Sequence, residues 1–179
     1  MKKNCVILKW NPAISSYSMI RFLEDIIDRE NQSDWSIYEY EKVKTGDQFF
    51  MLKVGVGTCG IVAAGEITSD PEQDEDWSGR GRKVYYSDYA CELMVNPDTL
   101  PIIESSMLED NIPGFDWYGG HSGAVLEEQQ AEVLNRMYQK YLQDHAAIFS
   151  DRLALIRKRE MYNDQLYIEP RLLDAIQGE

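Results

Sequence analysis

The chain has 179 residues, enough for one sizeable hydrophobic core and short for two. Its 31 acidic against 18 basic residues leave a net charge of −13, which disfavours indiscriminate attraction to a phosphate backbone, so a nucleic-acid role needs a local basic patch. Cys5, Cys59 and Cys91 are widely spaced in apolar runs, and His121 and His145 form no ligand spacing with them; the residues predict no disulfide, no metal and no cofactor.

Lys2 and Lys3 precede no long apolar run before Asn11, so neither a secretory leader nor a membrane span is expected, and the expected location is the cytoplasm. Residues 5–10 read as a first strand stopped by Asn11-Pro12, and Ser15 or Ser16 is placed to cap a helix over 17–29 with Met19, Leu23, Ile26 and Ile27 on one face. Alternation from Trp35 to Glu41 predicts a second strand. Two β-prone runs, 49–54 and 61–67, flank a glycine cluster and predict a hairpin. The first of them is apolar on both faces and therefore covered on both sides.

Gly55, Gly57 and Gly60 spell G-x-G-x-x-G, but the following residues are β-prone, are broken by Gly65 and end at Pro71. They cannot supply the helix a dinucleotide cradle requires. The acidic run 70–76 fails as a calcium loop because Glu75 stands where glycine is needed, and Trp77 is expected as a lid over the hairpin. Arg80, Arg82 and Lys83 form a basic loop suited to phosphate, with Lys42, Lys44 and Lys53 as neighbours. A long bent strand over 83–95, a short helix over 102–109, an aromatic and glycine-rich loop over 113–123 and an amphipathic helix over 127–149 follow. Residues 151–179 are too apolar for a disordered tail. The predicted organisation is a domain over 1–150 and an appendage over 151–179 that packs on the barrel or on a second protomer, as in a homodimer.

Trp35-Ser36, Lys44-x-Gly46-Asp47-x-Phe49-Phe50-x-Leu52, Gly60-Ile61-Val62-Ala63-x-Gly65, the 69–77 segment ending in Trp77, residues 84–88, Trp117 and Ser122-Gly123 occur in an order that resembles the EVE-like members of the PUA-like superfamily. The opening Leu8-Lys9-Trp10-Asn11-Pro12 is also similar. This family is related to the YTH domains and to reading domains of modification-directed restriction systems, some of them beside HNH nucleases. The resemblance implies an α+β fold: a small twisted, partly closed β-barrel of five to six strands with flanking helices. It also implies binding of a modified or flipped-out base in an aromatic pocket, a place in bacterial defence, and a nuclease or other effector as partner.

For that pocket the resemblance points to the rings of Trp10, Trp35, Tyr38 and Trp117, the hydroxyls of Ser36 and Ser122, Asn11 beside the opening strand, close backbone approach at Gly123, and His121 to stack or donate. The chain departs from the family at Ile37-Tyr38-Glu39-Tyr40-Glu41, bulky and acidic where many relatives are small and polar, which predicts a narrowed pocket and an unusual base. No nucleophile elbow or metal cluster stands out, so a binder is expected rather than an enzyme. Three readings stay open: a noncatalytic reader of a modified nucleic acid or nucleotide, a protein-interaction module with an acidic surface, and a small hydrolase on the same barrel.

Overall fold

The computed structural model describes residues 2–74 and 83–177. The elements run β1 (Cys5–Trp10), α1 (Met19–Asp28), β2 (Gln32–Ser36), a 3-10 turn (Tyr40–Lys42), β3 (Gln48–Lys53), β4 (Gly60–Ile67), β5 (Glu72–Asp74), β6 (Val84–Val95), β7 (Ile103–Glu104), α2 (Ser105–Asn111), β8 (Ala124–Val125), α3 (Glu128–Arg157), β9 (Leu166–Ile168) and α4 (Pro170–Gln177). No described helix is long and apolar enough to cross a membrane.

Among the described residues the strands join one curled mixed sheet, ordered β2-β6-β4-β3-β1-β8, in which β1 runs parallel to β3 and the other pairs are antiparallel. Both faces of β3 are buried, as its double-sided apolar run predicted, because each face has its own cover. On one face Phe50 meets Tyr138 of α3 at 5.1 Å; on the other Phe49 packs on Tyr89, and Trp10 of β1 packs on Phe22 of α1. The curl has a local cause at Gly65, where the β4–β6 register slips and a methyl group would sit 2.0 Å from the Ala90 carbonyl. Only glycine lets the two backbones approach that closely at a bulge.

Several elements differ from the expectation. The helix α1 starts at Met19, capped by Ser18, because the chain after Asn11 first makes a turn in which the Asn11 carbonyl accepts the Ile14 and Ser15 N–H groups. This delay leaves Tyr17 in the connection. The strand β2 ends at Ser36 instead of Glu41; beyond it the Tyr38 and Glu39 N–H groups are taken by the Ser122 and Gly123 carbonyls.

The boundary expected at residue 150 falls inside α3, which runs unbroken to Arg157. Its start is set by a reciprocal Glu127–Gln130 capping box. The following β9 pairs with Leu93–Val95 of β6, continuing the edge that β2 occupies as far as Ala90. Ile168 and Leu166 are buried there, while Leu153, Leu172, Leu173 and Ile176 are half-buried against the core. The segment after 150 thus contributes a strand of the sheet. Trp77, Arg80 and Arg82 lie outside the described residues, and Lys83 is exposed at the start of β6.

Candidate base-binding cleft

A cleft of about 740 Å³ opens between the end of β1, the 11–17 turn, the start of α1, β2 and the 118–122 loop. Trp35 of β2 is its ordered aromatic wall. The half-buried indole donates its N–H to Ser122 Oγ at 2.9 Å, and Tyr17 meets it edge-on with ring centroids 5.9 Å apart. Tyr17 is itself anchored, its hydroxyl donating to Asp25 Oδ2 at 2.6 Å; burial first, and that bond second, push its phenol well above the usual range, so it stays neutral. With its N–H consumed by Ser122 and its ring braced by Tyr17, Trp35 brings an aromatic ring and no free polar group to the cleft lining.

Ser122 is the chemical pivot. Its Oγ accepts from the Lys9 backbone N–H and from the Trp35 indole, each at 2.9 Å. A serine hydroxyl has two lone pairs and one O–H, so the remaining function of Ser122 in the cleft is to donate. Asp34 and Ser33 supply acceptors on the β2 side, and Ser36, Asn11 and Tyr86 complete the polar lining. Lys9 and Arg21 bring positive charge to this acidic chain. The Lys9 ammonium donates to the Gly119 carbonyl and lies 4.7 Å above the Phe115 ring. Burial lowers its pKa below the ordinary lysine value, and nearby Asp116 opposes that shift. Lys9 therefore clamps the aromatic loop over the cleft as well as lining it.

The site residues anticipated from the sequence divide into three groups. Asn11, Trp35, Ser36 and Ser122 line the cleft. Trp10 stands at its floor with no exposed surface, its indole N–H donating to the Tyr17 carbonyl at 2.7 Å, so its ring is packed against Tyr17 and Phe22 and is not open for stacking. Trp117 leaves the site altogether. It is 1 % exposed, donates to the Ile112 carbonyl at 2.9 Å and packs on Phe115, so the expectation that its ring lines the pocket is corrected: Trp35 lines the cleft without Trp117.

Gly123 serves the fold and not ligand approach: at φ +85 it lies so close to Ile37 and Tyr38 that a Cβ would be 2.5 Å from the Ile37 Cα. Tyr38 and His121 are exposed outside the cleft lining, stacked on each other with centroids 4.0 Å apart. His145, on α3, is bound to the Tyr141 carbonyl.

Sequence reasoning missed Tyr17, Arg21, Asp34, Tyr86 and the exposed Tyr118 as lining residues. An aromatic residue immediately before the cap serine was the available signal for Tyr17. Tyr86 gave none, because it reaches the site through the β2–β6 register, in which it opposes Ser36.

No protein-family model matches the chain, and no curated protein matches it. Solved structures are similar in fold. A hypothetical protein from Leishmania major superposes with a TM-score of 0.53 at 10 % identity, covering 78 % of this chain and 97 % of that one. A Pseudomonas syringae protein gives 0.52 at 14 % identity, covering 74 % and 98 %. A YTH domain solved in complex with RNA gives 0.48 at 10 % identity, covering 80 % and 82 %. At such identities the first two likenesses establish a shared fold and nothing about activity.

Proposed function

We propose that the chain is a PUA-like, EVE-like module that binds a modified or flipped-out base in the cleft, without catalysing a reaction. The carrying observation is Trp35, an indole held by Ser122 and Tyr17 in the lining of a cleft that is also lined by a hydroxyl and a carboxylate. A base removed from its stack loses a few kcal/mol, and an aromatic face restores about 1–3 kcal/mol per base. The Ser122 O–H supports selection of an acceptor atom on the base edge, because a donor facing it leaves two hydrogens opposed. Neither histidine and none of the three cysteines lines the cleft. That leaves recognition better served than nucleophilic chemistry.

A panel of modified and unmodified nucleosides, scored by thermal shift and titration calorimetry, tests the reading. At least one modified nucleoside should raise the melting temperature, and Trp35→Ala should weaken its binding by roughly 5- to 150-fold, the equivalent of one lost stack. Undiminished binding by Trp35→Ala would reduce Trp35 to packing and end the proposal.

Unmodified duplex DNA should bind weakly at physiological salt, since its bases are already stacked and the net charge of −13 opposes approach. An anisotropy titration checks this; tight binding insensitive to sequence contradicts it.

A further inference from the structure

The stacked pair Tyr38–His121 adjoins the cleft lining in the chain: His121 precedes Ser122, and Tyr38 is two residues beyond Ser36. Its rings are within 3° of parallel, and Tyr38 is 60 % exposed although it follows the buried Ile37. The connection to the cleft runs through one residue: Ser122 turns its hydroxyl toward Trp35, while its carbonyl accepts the Tyr38 N–H at 3.0 Å. The next rung repeats this, with the Glu39 N–H on the Gly123 carbonyl at 3.1 Å, and the Gly123 N–H is held by Ile7 of β1 at 2.8 Å. The pair is consequently mounted on backbone that is tied to the sheet, and it keeps a fixed relation to Trp35.

We propose that this pair is a second stacking step, carrying the base next to the one held in the cleft, so that the ligand is a single-stranded polynucleotide and not a free nucleoside. The proposal rests on the base-binding reading of the cleft. Two joined rings present an open aromatic face that accepts any base, since every base has a π-face, and such platforms are how single strands are held without sequence preference. A paired base in a duplex has both faces occupied and cannot use it. The local charge permits the approach of a phosphate. Glu39, beside the pair, is bound by Lys42 at 2.5 Å through Oε2 and by the Val125 N–H at 2.9 Å through Oε1. Against the opposing effect of burial, the Lys42 and Val125 bonds hold its pKa below the ordinary glutamate value. Glu41, three residues after Tyr38, is exposed to screening by salt, and Asp116, whose carboxylate lies beside Gly120, has the Lys9 ammonium as its counter-charge.

The test uses five-nucleotide single strands with the best-binding nucleoside of the panel at the centre, flanked either by uridines or by abasic sites. Fluorescence anisotropy should show uridine flanks binding roughly 5- to 150-fold tighter than abasic flanks. That ratio should fall to about one in Tyr38→Ala and persist in Tyr38→Phe, which keeps the ring. Equal affinity for the two flanks in the wild type, or an undiminished ratio in Tyr38→Ala, overturns the stacking step while leaving nucleoside binding in the cleft intact. Absence of binding by every nucleoside and every strand overturns both. Should Tyr38→Ala instead disrupt a complex with a protein partner and leave the ratio alone, the surface is a protein contact and the proposal is likewise overturned.

Discussion

Replacing Gly123 with alanine is expected to lower the melting temperature by roughly 5–15 °C and to weaken ligand binding in the cleft. The residue sits at φ +85, where a side chain costs about 1–2 kcal/mol, and the new Cβ would stand 2.5 Å from the Ile37 Cα and 2.6 Å from the Tyr38 nitrogen. Both obstacles are backbone, so the segment after β2 must move, at a further cost of about 1–3 kcal/mol. Movement there displaces Ser122, and with it the acceptor that holds the Trp35 indole. Gly120→Ala is the control. Its φ is +83, but the nearest atom to its Cβ is the flexible end of Lys9 at 3.0 Å, so it should lose only the backbone component. Equal melting temperatures for the two variants, by calorimetry, would show that the 37–123 contact relaxes freely and that the loop is not anchored as described.

Asp47→Ala should be destabilising by roughly 2–5 kcal/mol, because two backbone N–H groups lose the charged acceptor that satisfies them. The Asp47 side chain is fully buried; one carboxylate oxygen accepts the Asn4 N–H at 3.0 Å and the other the Lys44 N–H at 2.9 Å, while its carbonyl takes the Ile67 N–H at 2.7 Å. The residue therefore joins the chain before β1, the turn before β3 and the end of β4. The Asp47→Asn variant retains one side-chain carbonyl acceptor and should suffer about half of that loss. Urea midpoints at constant slope measure both, and an unchanged midpoint for Asp47→Ala would mean that water replaces the carboxylate.

The β3–β4 hairpin was legible because its information is local: β-prone residues on both sides of glycines that take positive φ at 55, 57 and 60. Asp47 shows the limit of the same reading. Gly46-Asp47 was visible as a turn, but nothing nearby in sequence indicates that the carboxylate reaches back 43 residues to Asn4. The tryptophans make the point for the site. Their number allowed an aromatic pocket, yet equal indoles meet different fates: Trp10 and Trp117 satisfy their N–H groups on backbone carbonyls and sink into the core, and Trp35 uses a serine at the cleft.

What the sequence determined by itself is the set of amphipathic and β-prone segments, the doubly covered β3, the acidic character that opposes duplex binding, and the loop 113–123 as a place of consequence. Each follows from residues close in the chain or from summed charge. Only the tertiary structure decided that β9 completes the edge of β6, that Trp117 is core, that Tyr17 and Tyr86 join Trp35, and that Tyr38 and His121 stack outside the cleft. Those outcomes depend on register and on which hydrogen-bond partner arrives from far along the chain. Local propensity carries no record of either.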